Sequence, residues 1–217
     1  MSKRHGSREQ KRAAKHKSKR DEKRRQVARA TSNNPAVRLL SAASWPLVVT
    51  LEPEQLWDVG IGSLLIARRA PGGRLVVGIY LVDVFCLGVK DAFWRDVGEA
   101  EYKAMLDKLT SHGRPQRAIA PERFAKLVYC AVDYAQSLGI SPHPDFHTTR
   151  HLMDGIDPSL CTDEFEFGQN GKPCYMAGPN DSPAIAHMLA GRINAAGGHF
   201  LIPVSGSMPF DLDDDDP

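Results

Sequence analysis

Residues 61–93 read I-G-S-L-L-I-A-R-R-A-P-G-G-R-L-V-V-G-I-Y-L-V-D-V-F-C-L-G-V-K-D-A-F. Two apolar runs flank Ala70-Pro71-Gly72-Gly73. Proline fixes φ and paired glycines accept the positive φ of a tight reversal, so the two runs are predicted to pair as a β-hairpin. The second run, 75–89, is broken only by Gly78, Asp83 and Gly88. It is too short for a membrane-spanning helix. Its Val and Ile content suits a strand buried on both faces. The run is long for one strand, so a bend at Gly78 or Gly88 is expected.

Asp83 interrupts that run. Strict alternation places it on one face with Ile79, Leu81, Phe85 and Leu87. A carboxylate there must be paired, metal-bound or protonated, because an isolated buried charge is costly. Two readings follow: a catalytic or metal-binding carboxylate, acting with Asp91 on a divalent ion, or a structural carboxylate that accepts backbone N–H groups or an Arg.

Outward from this hairpin the chain alternates helix and strand signals. Residues 36–43 read as a short helix, 47–51 as a strand, and 53–58 as one or two helical turns opened by Pro53. In 99–110, Tyr102, Met105, Leu106 and Leu109 follow helical spacing, with Gly113 and Pro115 as the stop. The clearest helix is 121–138. Pro121 opens it, Phe124, Leu127, Val128, Ala131, Val132, Ala135 and Leu138 form its apolar stripe, and Gly139 suits its C-terminus. Phe165 and Phe167 alternate with acids as in a half-buried strand, and Asn170-Gly171 is a hairpin turn signal. A helix over 184–196 and a last strand over 199–204, with Pro203 favouring a sheet edge, complete the reading. The fold class is α+β: a mixed, largely antiparallel sheet, with hairpins at 61–89 and 164–176 and three packing helices.

The His-rich stretch 141–156, S-P-H-P-D-F-H-T-T-R-H-L-M-D-G-I, suggests a short helix starting near Pro144. On it His147, His151 and Asp154 would share one face at i, i+4 and i+7, a spacing that can hold one metal ion. The residues between the two His include no Glu, so a metalloprotease is not supported. A polar helix surface explains the same residues without metal. A zinc set of His147, His151, Cys161 and Cys174 matches no compact zinc motif. No cofactor is required by any motif; a divalent metal is compatible with the Asp83 or His147 regions.

Charge is strongly segregated along the 217 residues. Residues 1–30 hold 13 Lys and Arg against three acids, a net of +10, whereas the rest of the chain is −8. Residues 1–34 carry little that could form a core and read as a disordered basic arm; 35–205 read as one globular domain; 206–217, with four consecutive Asp, read as a solvated acidic tail. Within the arm, Lys11, Arg12, Lys15, Lys17, Lys19, Arg20, Lys23, Arg24 and Arg25 are interchangeable candidates for neutralising phosphates. The arm lacks aromatics, so slight sequence preference is expected.

The basic N-terminus is not followed by an apolar segment, and the four Cys are scattered without a C-x-x-C pair. A cytoplasmic, soluble, intracellular protein with no membrane partner is expected. The leading functional expectation is a binding protein carried to RNA or DNA by the arm, with a slight preference for RNA or a ribonucleoprotein surface. The alternatives are a metal-dependent hydrolase or nuclease using the carboxylate and His candidates, and a protein–protein interaction module.

Overall fold

A computed structural model describes residue 22 and residues 34–111, 114–176 and 183–201. Its centre is a five-stranded antiparallel sheet. The strands are β1 (Leu47–Pro53), β2 (Ile61–Arg69), β3 (Leu75–Asp83), β4 (Gly88–Val97) and β5 (Gln116–Ala118), ordered β4-β3-β2-β1-β5. The chain is α+β, as the sequence predicts.

The first hairpin forms where Pro71 and the two glycines predict it. Gly72 and Gly73 adopt φ of +86° and +84°, and Ile61 through Arg69 pair in register with Asp83 through Leu75. The predicted long strand divides, however. β3 ends at Asp83, the chain reverses through Val84-Phe85-Cys86-Leu87, and β4 begins at Gly88 with φ +63°. Residues 90–95 therefore lie in the sheet's edge strand, β4. The divider is a side chain: Asp83 Oδ1 accepts the N–H groups of Phe85 and Cys86, each at 2.9 Å, and so closes a turn made of apolar residues. Gly78 is no bend. It pairs with Ile66 and Trp94, and a Cβ there would lie 2.5 Å from Leu152 Cδ1, so its bare backbone admits that leucine.

One face of the sheet carries the main core. Helix α1 (Pro35–Ala42) is capped by Asn34, whose side chain accepts the Ala36 N–H at 3.0 Å. After the single turn α2 (Leu56–Val59) and the 12-residue α3 (Glu99–Thr110) comes α4 (Pro121–Ser137), which packs Phe124, Leu127 and Val128 against Leu64, Tyr80 and Val82. Each of these large apolar side chains stabilises by about 1.5–3 kcal/mol on burial. Gly139, with φ +73°, ends α4 as expected: its N–H donates to the Gln136 carbonyl and that of Ile140 to Ala135, the paired bonds of a glycine-terminated helix.

The His-rich stretch closes this face. It forms one α turn, α5 (Phe146–Thr149), then tightens to a 3₁₀ turn over Arg150–Met153. Phe146, Leu152 and Met153 point into the core. Buried Arg68 ties the stretch to the entry of β1: Nε donates to the Leu152 carbonyl at 2.8 Å, and NH1 donates to Ala43 and Trp45 at 3.0 and 2.9 Å. Its guanidinium pKa is lowered by burial, so its several carbonyl partners carry the desolvated charge.

Residues 161–167 make no sheet ladder, contrary to the strand expectation. Phe165 and Phe167 alternate inward because they pack on side chains, Phe165 stacking on Trp57 at 5.6 Å and Phe167 on Tyr134 at 5.2 Å. The Asn170-Gly171 reversal is present, with both φ positive, but it closes only one bridge, Gln169 to Lys172. The next strand, β6 (Cys174–Met176), instead pairs in parallel with β7 (His199–Leu201), reached through α6 (Pro183–Ala195). Residues 202–204, expected to continue the last strand, lie outside the described residues.

Candidate functional site

The second face of the sheet is covered unevenly. Helix α3 lies over Leu65, Ala67, Leu75 and Val77 and seals them with Tyr102, Met105, Leu106 and Leu109. A helix of 12 residues is about 18 Å long, whereas strands of nine and ten residues run about 30 Å. The far end of the face is left open as a groove of ≈ 840 Å³. Ile61, Ile79, Leu81 and Phe93 form its floor, and Met105 and Leu109 its wall. Phe93 on β4 and Ile61 on β2, strands separated by β3, keep 40% and 36% of their surfaces exposed.

The groove's polar lining has one sign. Arg95, Lys108 and Arg114 border it, and among the described residues no Asp or Glu does. This is contrary to the domain around it, where residues 31–201 hold 15 Lys and Arg against 18 acids. Arg95 reaches Glu101 at 3.9 Å between exposed groups, a weak attachment. Among the described residues, Lys108 and Arg114 have no ion-pair partner. Gln116 adds a side-chain oxygen that is buried and accepts no hydrogen bond among the described residues.

On the opposite face lies an ionic node. Glu52 is fully buried near the C-terminal end of β1. Its carboxylate accepts Arg123 Nε at 3.0 Å and NH2 at 3.3 Å, Arg117 NH2 at 3.1 Å and Trp57 Nε1 at 3.3 Å. Arg123 also bonds Asp163 and sits 5.1 Å over the Phe165 ring. These bonds, those of Glu52 first, raise the Arg123 pKa. A carboxylate held by two guanidiniums and an indole is fixed, and here it staples the 161–167 segment to α4, with Lys126 Nζ donating to the Cys161 and Asp163 carbonyls at 2.9 and 2.6 Å.

Asp83 is buried, and its pKa is pushed up to about 6 by desolvation against the opposing pull of the Cys86 and Phe85 N–H groups. Alternation predicts that it shares a face with Phe85 and Leu87. Those residues belong to the turn, and only Ile79 and Leu81 hold that face, as groove floor. Asp91 is exposed on β4 opposite Leu81, with His143 Nδ1 at 3.8 Å. His151 Nδ1 and Asp154 Oδ2 meet at 2.8 Å, while His147 lies exposed on the preceding α turn. The change from 3.6 to about three residues per turn breaks the single-face alignment predicted for the three. Among the described residues, no group of three or more His, Cys, Asp or Glu is placed to hold a metal ion. All four cysteines are free thiols, and burial raises Cys86 to about 12, away from thiolate chemistry. The nine basic arm candidates, Lys11 through Arg25, lie outside the described residues.

The groove was not read from sequence. Its one local signal is the pair Phe93 and Arg95 at i and i+2, which share a strand face once 88–97 is recognised as a strand.

Fold and groove together define the class: an α+β domain with a cation-bordered apolar cleft on the thinly covered face of its sheet. No protein-family model, curated protein or solved structure matches the chain. Among the described residues, no helix is long and apolar enough to cross a membrane.

Proposed function

We propose that this is a nucleic-acid-associated binding protein, a folded domain carried to RNA or a ribonucleoprotein surface by its basic N-terminal arm. The observation that carries the reading is charge segregation: a net of +10 within residues 1–30, against −8 over the rest of the chain. A domain that repels polyanions gains affinity for them through a cationic segment able to release condensed counterions. The arm's lack of aromatic residues directs the contact to phosphates rather than bases.

Binding of structured RNA and duplex DNA across a salt gradient tests this. The full chain is compared with a full-length variant in which Lys11, Arg12, Lys15, Lys17, Lys19, Arg20, Lys23, Arg24 and Arg25 are changed to Gln. Each phosphate contact contributes a slope of about −0.9 in log K against log salt on duplex DNA. The variant is expected to lose most affinity and most of that slope. Equal affinity and equal slope for the two proteins would refute the arm's role. A chain beginning at Pro35, where α1 starts, should behave as the variant does.

The groove favours a second reading, a protein–protein interaction module, because an apolar floor with polar edges is how peptide-binding surfaces are commonly built.

A further inference from the structure

We propose that the groove beside α3 is a binding site for an acidic, amphipathic peptide segment, and that its occupant is this chain's own C-terminal stretch, residues 208–216. That stretch reads M-P-F-D-L-D-D-D-D. It presents Met208, Phe210 and Leu212 for an apolar floor, and beside them five carboxylates in six residues. The groove offers the complement: Ile79, Leu81 and Phe93 beneath, and Arg95, Lys108 and Arg114 at the border without an acid among them. The basic arm is a poor match: its cations are repelled by Arg95, Lys108 and Arg114, and its only apolar side chains larger than alanine are Met1 and Val27, 26 residues apart.

Connectivity fits the same occupant. β7 starts beside the turn between β3 and β4: its partner β6 donates the Cys174 N–H to the Phe85 carbonyl at 3.0 Å, Cys174 pairs with His199, and Tyr175 clusters with Cys86 and Leu87, while Leu201, two residues on, pairs with Met176. Asp83 at that turn pairs with Ile61, which lines the groove. The chain therefore leaves the described fold two strand residues, about 7 Å, beyond its contact with the end of the sheet where the groove opens. From Leu201 to Phe210 an extended chain spans about 30 Å, as long as a sheet strand. The inference stands independently of the arm's role, since it uses none of the arm's residues.

The test is methyl NMR on the full-length chain. Ile61, Ile79, Leu81, Met105 and Leu109 report on the groove, and Leu64 and Leu127 on the opposite core. In Phe210→Ser/Leu212→Ser, and in a variant with Asp213, Asp214, Asp215 and Asp216 changed to Asn, the groove methyls are expected to shift while Leu64 and Leu127 stay. A synthetic peptide of residues 206–217, added to Phe210→Ser/Leu212→Ser, should return them toward their wild-type positions. Lys108 is exposed, so Lys108→Glu perturbs no core; it should weaken the peptide about tenfold, and salt should weaken it further. Groove signals identical in wild type and both tail variants would overturn the proposal. So would groove signals that respond to a single-stranded oligonucleotide but to neither the tail changes nor the peptide.

Discussion

Replacing Asp83 with Asn should make the protein's stability less dependent on pH, because two opposing effects meet on this carboxyl. Two N–H bonds, from Phe85 and Cys86 at 2.9 Å, favour the charged form. Burial disfavours it, and burial prevails: the pKa moves from 3.8 up to about 6. The sign follows. A carboxyl raised on folding binds its proton more tightly in the folded chain, so its contribution is greatest below pH 4 and is lost as pH rises through 6. At about 1.4 kcal/mol for each pH unit between the two values, roughly 3 kcal/mol is at stake, with roughly 2–3 kcal/mol of it lost between pH 4 and pH 7. Asn keeps the Oδ1 acceptor for both N–H groups and has no charge to desolvate. Urea unfolding of wild type and Asp83→Asn from pH 4 to pH 7.5 isolates this group, because other titrations cancel in the difference. Wild-type stability minus variant stability should fall by roughly 2–3 kcal/mol, most steeply near pH 5, midway between the two pKa values, and level off above about pH 6. A difference that stayed level, or that grew with pH, would show that the two N–H bonds outweigh desolvation, and the reasoning would fail.

Two further perturbations probe the fold that positions the groove. Glu52→Ala strands Arg117, Arg123 and the Trp57 indole N–H around a fully buried site, and should cost about 3–5 kcal/mol in urea unfolding, with Glu52→Gln losing less; a loss under 1 kcal/mol would mean that the node is solvated. Gly88→Ala forces a side chain into φ +63° with its Cβ 2.6 Å from the Ala131 carbonyl oxygen, so α4 must move away from the β3–β4 turn, and a drop in thermal midpoint of at least several degrees is expected, as for a loss of 1–3 kcal/mol. Unchanged melting would show that α4 and the turn are not closely packed.

What could be read from sequence depended on whether a feature was specified locally. The 70–73 turn and the ends of α4 were readable because Pro71, the paired glycines, Pro121 and Gly139 act through their own backbone angles. The β3–β4 turn was hidden because Val84, Phe85, Cys86 and Leu87 carry no turn chemistry; the reversal is made by Asp83 reaching forward to two N–H groups. Asp83 was singled out correctly as a buried carboxylate, with backbone N–H acceptance among the readings, but alternation was carried four residues past the end of the strand, to Leu87. The His147, His151 and Asp154 face failed for a different reason. Helical periodicity was assumed through Thr149, where a buried Tyr80 hydroxyl takes the Thr149 carbonyl at 2.7 Å and the next turn narrows to 3₁₀. Phe165 and Phe167 kept the alternation of a strand without a partner strand, because Trp57 and Tyr134 supply the surface that a sheet would.

The groove belongs to no single segment, since it arises from a mismatch in length between α3 and the strands beneath it. Solvated faces of antiparallel sheets alternate to polar residues, and this one does not: Ile61, Ile79, Leu81 and Phe93 continue the apolar floor beyond the reach of α3. Phe93 lies on β4, a sheet edge, where exposed apolar side chains invite pairing with another chain. Lys90 and Arg95 flank it on that strand, charges of the kind that discourage edge pairing while leaving the face itself available. An edge guarded by cations next to a face left apolar favours a ligand laid across the face over one added to the edge, which is the geometry that a short acidic segment with spaced Phe and Leu would satisfy.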